Sequence, residues 1–337
     1  MSRVGHIIFA GNRMMCPTFF MGGLCMRKLR FVNSGNAGLT FEEGCELYLM
    51  NCQQRNLREG TINHYRQSYT QFYKYFSPEM PVGKFNAAVY NKFVLYLCDT
   101  LENDISVNSY LRDLITTLHF LMDEGYVQPF KMQAIKTDAS HVETYTDEEL
   151  TKLLQKPEIK TCKFIEFQCW VMTNLLFSTG IRQRSLMNLK VGDIDFDNRI
   201  LNVKVTKNRK ALLVPLNETM VQILNEFLQH RQHRNADDWL FCNVFGKQLV
   251  KSTCYHMLYD YNKSRGVETT GIHRYRHTFA KQWILGGGNV VSLSRLLGHS
   301  NLSITQNYIN LLVSDLSDQV DEMNILDKFA AKKHIKM

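Results

Sequence analysis

The sequence predicts a mainly helical protein that carries one small antiparallel β-sheet and is divided into two domains. Its 337 residues are enough for about two domains of ordinary size. Apolar residues recur at helical spacing through most of the chain, whereas period-two alternation is confined to short segments near residues 200–216. Hydrophobic residues make up 45% of the chain and charged residues 21%, which excludes wholesale disorder and collagen-like structure.

The charge balance is basic and the cysteine pattern is that of free thiols. Forty Lys and Arg against 32 Asp and Glu give a net charge of +8, which suits a phosphate-bearing partner without establishing one. The 9 cysteines are an odd number and contain no C-x-x-C pair. Their spacings, such as Cys45 to Cys52 and Cys162 to Cys169, are typical of helices. We therefore predict reduced, mostly buried thiols and a cytoplasmic protein.

Residues 1–38 are poorly patterned and are predicted to form an N-terminal tail. The apolar stretch Met14 to Met26 lies between Arg13 and Arg27 but is too short to span a bilayer. A signal peptide is the less favoured alternative, because it requires a clean cleavage site and a secreted protein, and the free thiols and basic charge of the remaining chain argue against secretion. Met26 is a plausible alternative first residue.

Residues 39–135 are predicted to form a helical domain. Thr40 and Glu43 make a capping box that opens the first helix. Three further helices are expected at about 61–76, 87–101 and 106–125, and Gly125 is a suitable residue to end the last of them. Aromatic rings at helical spacing in the second helix are expected in the core: Tyr65, Tyr69, Phe72, Tyr73 and Phe76.

Residues 136–143 are polar and aperiodic, and we predict a linker there before a second domain at 144–312. Thr146 and Glu149 form its opening capping box. Strands are expected at 200–205 and 211–216 around a polar turn, and 239–242 could add a third. The helices expected in this domain lie at about 147–154, 163–178, 218–230, 252–261, 274–285, 290–297 and 303–311.

Five polar motifs interrupt the apolar pattern of the second domain. They are Ser178 to Arg182 (STGIR), the cationic turn Lys207 to Lys210, Gly271 to Ala280 (GIHRYRHTFA), Leu296 to Ser300 (LLGHS) and Thr305 to Ile309 (TQNYI). Taken singly, each reads as ordinary structure, such as a surface arginine or a solvated hairpin tip. His273 and His277 are four residues apart, but the motif lacks the Glu of HExxH and a third ligand, so no metal site is predicted.

Taken together, in this order and with these gaps, the motifs resemble the catalytic domain of the tyrosine recombinase, or phage integrase, family. The resemblance covers about residues 144–312 and extends to the preceding helical unit, which looks like the core-binding, DNA-clamping domain of two-domain, Xer-like members. It implies Arg182 and Arg276 as phosphate-clamping arginines, Lys207 as the hairpin lysine with Lys210 in reserve, His273 and His299 as further active-site members, and Tyr308 as the nucleophile.

Two positions depart from the family's pattern. The family usually has an acidic residue three positions after its first arginine, and here that position is Ser185, with Arg184 beside it. HRYRH also replaces the commoner acidic and apolar pair between the histidine and the second arginine. The predicted site keeps every catalytic group and becomes more cationic than usual.

The resemblance implies a site-specific DNA recombinase that cuts and rejoins strands through a covalent 3′-phosphotyrosine. Two arginines stabilise the charge of the transition state, His273 would act as the base towards Tyr308, and Lys207 as the general acid. No nucleotide cofactor or metal is needed, because the phosphotyrosine conserves the bond energy and the arginines replace a two-cation clamp.

The expected partners are double-stranded DNA and other copies of the chain, with a tetramer in synapsis and no membrane. The tail at 313–337 is expected to dock on a neighbouring protomer, with intramolecular packing as the alternative. The biological role would be integration or excision of a mobile element, or resolution of chromosome dimers. Alternative functions are a type IB topoisomerase-like enzyme and a DNA-binding protein that has lost catalysis.

Overall fold

A computed structural model describes residues 38–137, 143–206, 210–232, 235–268 and 270–299, together with Asn301 and Thr305. The chain divides into two units, Met1–Ala139 and Ser140–Met337. The architecture is mainly helical with one small antiparallel sheet, as the sequence predicts. Most of the tail predicted at 1–38 and of the linker predicted at 136–143, the helix predicted at 303–311 apart from Thr305, and the segment 313–337 lie outside the described residues.

The described part of the first unit contains four α-helices, and three of them begin with a capping side chain. The helices are α1 (Phe41–Gln54), α2 (Glu59–Phe72), α3 (Ala87–Thr100) and α4 (Asp104–Asp123). The Thr40 hydroxyl accepts from the amide of Glu43, whose carboxylate accepts from the Thr40 amide at 3.0 Å, which confirms the first capping box. Gly125 follows α4 with φ of 80°, a left-handed conformation that glycine adopts at low cost.

Aromatic rings fill the core of the first unit. Phe72 and Phe93 are fully buried, and their ring centroids lie 5.6 Å apart in an edge-on arrangement. Phe76 packs 4.8 Å from Phe93, although it lies beyond the end of α2. The rings predicted for this core are therefore confirmed: Tyr69, Phe72 and Phe76 are buried, and Tyr65 and Tyr73 pack against them. Such pairs add about 0.5–1.5 kcal/mol each beyond the area they bury.

The second unit is built around one central helix. Its helices are α5 (Asp147–Leu154), α6 (Phe164–Thr179), α7 (Gln183–Met187), α8 (Glu218–His230), α9 (Lys251–Ser264), α10 (Ile272–Leu285) and α11 (Val290–Leu297). Helix α6 is buried along most of its length and contacts α5, α8, α9 and α10. Thr146 and Glu149 form the second predicted capping box at the start of α5.

The sheet has three antiparallel strands in the order β1 (Ile194–Asp195), β2 (Ile200–Val203) and β3 (Leu212–Pro215). Leu201 of β2 pairs with Ile194 and Val214 on its two sides. The two predicted strands are confirmed, but the prediction of a third strand at 239–242 is wrong. The backbone there bonds elsewhere: the Leu240 amide donates to the Leu189 carbonyl, and Cys242 exchanges hydrogen bonds with the Gln168 side chain.

The described residues contain no helix that is both long and apolar enough to cross a membrane. All seven cysteines that the structure describes are free, and four of them are buried. Burial raises the pKa of the Cys169 thiol to about 12, so this thiol stays protonated and packs as a small apolar side chain.

Candidate active site

The first element of the site is the sharp turn that ends α6. Gly180 caps the helix with φ of 61°, and a Cβ at this position would lie 2.6 Å from the Phe279 ring and 2.7 Å from Leu297. Both the backbone conformation and the close packing therefore require glycine. The turn lets α7 begin immediately afterwards, with Arg182 as its N-cap residue.

Arg276, on the first turns of α10, bridges the ends of two helices. Its side chain is nearly inaccessible, with 4% of the residue exposed. Nη1 donates to the carbonyl of Gly180 at 2.6 Å, and Nη2 donates to the carbonyl of Leu297 at 2.8 Å. These two carbonyls lie at the C-terminal ends of α6 and α11, where helical carbonyls lack intrahelical partners and the helix dipole is negative. The buried guanidinium is thus stabilised by backbone dipoles.

Arg182 donates to the same carbonyl, that of Leu297. Its Nη1 donates to Leu297 O at 3.4 Å, so the two guanidinium groups converge on one oxygen. Gly298 follows with φ of 61° and caps α11 in the left-handed conformation, and the chain then turns towards His299. Two cations brought this close repel each other unless an anion or dipoles lie between them. The carbonyl dipole of Leu297 therefore lies between the two guanidinium groups and lessens their repulsion.

His299 is held as the neutral imidazole in one tautomer. Its Nε2 lies 2.8 Å from Nη2 of Arg276, and its Nδ1 lies 2.8 Å from the hydroxyl of Thr305. Since a guanidinium can only donate, Nε2 must accept, and the proton resides on Nδ1, which donates to Thr305. Partial burial, followed by the charges of Arg276 and Arg182, lowers the pKa of His299 to about 4.

His273 and His277 lie on α10 with Arg276, and their surroundings also favour the neutral form of the imidazole. Although His273 is exposed, partial desolvation of its ring and then the charges of Arg276 and Arg182 lower its pKa. Burial, followed by His273 and Arg276, lowers the pKa of His277 to about 4. At neutral pH both imidazoles are therefore mainly neutral and add little positive charge to the site.

A cavity of about 510 Å³ opens over the two arginines. Its polar lining consists of Arg182, Ser185, Thr206, Lys210, Arg276, Arg295 and His299. Four of these side chains are cationic, and none of the described lining residues is acidic. The sequence motifs did not identify Arg295 as a residue of this cavity. Its position on α11, three residues before the glycine of LLGHS, is the sequence feature that could have indicated it.

The serine that replaces the family's usual acidic residue is buried in this wall. Ser185 is 5% exposed, and its hydroxyl donates to the carbonyl of Val205 at 2.9 Å. Val205 lies two residues after the end of β2, at the base of the cationic hairpin. Helix α7 therefore begins after Arg182, and three residues later Ser185 joins the helix to that hairpin.

The structure thus brings together three of the six predicted catalytic residues, Arg182, Arg276 and His299, and places His273 at the start of α10 close to both arginines. The reserve lysine, Lys210, lines the cavity. Lys207 and Tyr308 lie outside the described residues, so their predicted positions stay predictions.

Comparisons with known proteins agree with these observations. The model of the phage integrase family matches residues 143–314. The tyrosine recombinase XerC of Staphylococcus aureus (strain MRSA252) is 28% identical over 265 residues, which span 77% of this chain and 88% of that protein.

Solved structures share the fold at lower identity. The Tn1549 transposon integrase in complex with transposon right end DNA is 19% identical, with a TM-score of 0.67 over 82% of this chain and 99% of that one. The XerH recombinase bound to a palindromic difH substrate is 20% identical, with a TM-score of 0.64 over 85% of each chain. Because the family model covers more than half of the sequence, the chain belongs to the phage integrase family and is a tyrosine-type site-specific recombinase.

Proposed function

We propose that this recombinase cuts and rejoins DNA through a covalent 3′-phosphotyrosine on Tyr308, in the integration or excision of a mobile element or in the resolution of chromosome dimers. The observation that carries the proposal is the convergence of Arg182 and Arg276 on one backbone oxygen, inside a cavity whose described lining holds four cations and no acid. A phosphodiester is the anion that such paired guanidiniums bind in a bidentate manner.

The reaction begins when the Tyr308 hydroxyl loses its proton to His273 and its oxygen attacks phosphorus. The lowered pKa of His273 keeps this imidazole neutral and able to accept. Arg182 and Arg276 stabilise the charge that develops on the non-bridging oxygens. The bond from phosphorus to the 5′-oxygen breaks, and Lys207 delivers a proton to that oxygen, with Lys210 as the alternative donor on the same hairpin.

Thr305 links the nucleophile's segment to the site. Its hydroxyl is hydrogen-bonded to His299 and its side chain is fully buried, and Tyr308 follows it three positions later in the sequence. The covalent chain therefore limits the distance between their Cα atoms to about 11 Å. A second DNA 5′-hydroxyl reverses the first step and releases Tyr308, so the cycle conserves bond energy without a nucleotide.

We further propose that residues 39–135 form the DNA-clamping domain and that synapsis uses four copies of the chain. The net charge of +8 supports binding to the phosphate backbone. In this arrangement each copy closes its two domains around the duplex, and the 313–337 segment docks on the next copy. The protein would act in the cytoplasm.

Covalent trapping tests the proposed chemistry. Nicked duplexes tiled across the DNA on both sides of the gene are incubated with the protein in EDTA without ATP, and the products are separated on a denaturing gel. We expect one or more duplexes to give a covalent protein–DNA band that Tyr308→Phe abolishes. Tyr126→Phe, which alters an exposed tyrosine of the first unit, is expected to leave the band unchanged.

Two other outcomes would contradict the proposal. Salt-sensitive DNA binding without a covalent band on any duplex would favour a DNA-binding protein that has lost catalysis. A band on every duplex, together with relaxation of supercoiled plasmid and no joining of two sites, would favour a topoisomerase-like enzyme.

A further inference from the structure

Ser185 makes a contact that the acidic residue usual at this position could not make. Its hydroxyl donates to the Val205 carbonyl at 2.9 Å, whereas an ionised carboxylate carries no proton to donate. The contact is well shielded, since only 5% of Ser185 is exposed. A hydrogen bond in such a place restricts the two segments it joins more than one exposed to water does.

The other end of this contact is the base of the β2–β3 hairpin. Immediately after Val205, the hydroxyl of Thr206 donates to the carbonyl of Lys210 at 2.6 Å and closes the base. Both Thr206 and Lys210 line the cavity above the arginines. Lys210, one of the two candidate donor lysines, therefore lies at the base that Ser185 contacts, and the sequence between Thr206 and Lys210 contains the other, Lys207.

The helical end of the contact is equally fixed. Ser185 lies on α7 three residues after Arg182, whose guanidinium is bonded to the Leu297 carbonyl. Across the sheet, the side chain of Leu212 on β3 lies 3.4 Å from where a Cβ on Gly298 would be, so the second strand of the hairpin packs against the end of α11. The hairpin base is thereby joined to both walls of the cavity above the arginines.

We propose that Ser185 is a positioning residue. It fixes the base of the β2–β3 hairpin relative to the arginine pair, and it thereby positions the lysine that protonates the leaving 5′-oxygen. This inference rests on the proposed function and deepens it. A displacement of about 1 Å in a group that transfers a proton can cost about 100-fold in rate. Removal of the hydroxyl should therefore slow cleavage while leaving the arginine site and DNA binding in place.

The experiment compares two nicked duplexes chosen from those that form the covalent band. One carries the ordinary 5′-oxygen at the scissile phosphate, and the other carries sulfur there. When the bond from phosphorus to sulfur breaks, the electron pair leaves on a thiolate, which is far less basic than an alkoxide and needs no proton. Single-turnover cleavage rates are measured for the wild type and for Ser185→Ala, Ser185→Thr, Lys207→Ala and Lys210→Ala.

We expect Ser185→Ala to cleave the oxygen duplex about tenfold or more slowly than the wild type and the sulfur duplex at nearly the wild-type rate. The lysine variant that removes the true donor should show the same rescue, and Ser185→Thr, which keeps a hydroxyl, should stay close to the wild type on both. Thermal melting of each variant establishes that it folds. If Ser185→Ala does not fold, Ser185→Cys replaces it. The thiol is a weaker donor than the hydroxyl, so this variant should slow cleavage of the oxygen duplex by a smaller factor and still cleave the sulfur duplex at nearly the wild-type rate.

Equal slowing of Ser185→Ala on both duplexes would overturn the inference, because the defect would then lie in the arginines or the nucleophile. Unchanged cleavage of the oxygen duplex would overturn it as well. Failure of the wild type to form a covalent band on any of the tiled duplexes would instead refute the proposed function, and the inference with it.

Discussion

Substitution of Gly180 by alanine should lower the free energy of unfolding of the second unit for two separate reasons. The first is backbone strain, because φ of 61° lies in the left-handed region, where an L side chain costs about 1–2 kcal/mol. The second is overlap, because the new Cβ would lie 2.6 Å from Phe279 and 2.7 Å from Leu297. Forcing atoms into a packed interior typically costs about 1–3 kcal/mol.

Gly246 offers a matched control for the strain alone. Its φ of 73° is also left-handed, but a Cβ there would meet nothing within 4 Å. We therefore expect Gly180→Ala to lower the free energy of unfolding by about 2–5 kcal/mol and Gly246→Ala by about 1–2 kcal/mol. For a unit of this size each kcal/mol corresponds to about 2–4 °C in Tm, so differential scanning calorimetry resolves the two variants.

Covalent trapping should separate the variants in function as well. The Gly180 carbonyl accepts from Arg276 at 2.6 Å, so a shift of this turn moves the guanidinium. Gly180→Ala should slow formation of the covalent band, whereas Gly246→Ala should not. Equal losses of stability in the two variants would refute the reasoning, because the packing of Phe279 and Leu297 over Gly180 would then impose no penalty.

Two further predictions concern charge. Because Arg295 lines the cavity, Arg295→Ala should weaken DNA binding and reduce the slope of log K against log salt by about one. The control Lys152→Ala, on α5, should change this slope less. Equal slopes for the two variants would argue against a phosphate contact at Arg295. The pKa of His277 is lowered to about 4 in the folded protein against about 6.5 unfolded. The stability due to neutral His277 is therefore full above pH 6.5 and is lost as pH falls towards 4. The Tm of DNA-free protein should fall less between pH 7 and pH 5 in His277→Gln than in the wild type, and parallel curves would contradict this.

The helices were predictable where short-range signals fix their ends. The helices at 147–154, 218–230 and 290–297 have the predicted bounds, because capping residues and flanking turns act within a few positions of each end. The start of α10 is two residues earlier than predicted, so His273 lies within the helix and not before it. The site motifs were recognisable because their order along the chain is preserved.

Elements that depend on distant partners were not predictable. Helix α7 has only five residues and is supported by contacts such as that from Ser185 to Val205, 20 positions away. Strand β1 has two residues and exists because β2 pairs with it. The apolar run at 239–242 satisfies the local strand pattern, but its hydrogen bonds go to Leu189 and Gln168, which no local rule reveals.

The arrangement around Arg276 explains how two arginines can lie close together in a folded site. Burying a guanidinium beside another would be costly if each relied on water, and a carboxylate between them would neutralise the charge that a phosphate must meet. Carbonyls at the ends of α6 and α11 resolve this conflict, because their dipoles stabilise the cation without adding a full negative charge. Histidines with lowered pKa add no further repulsion at neutral pH. Under the proposed function, the described cavity lining therefore presents a net positive charge to a DNA phosphate.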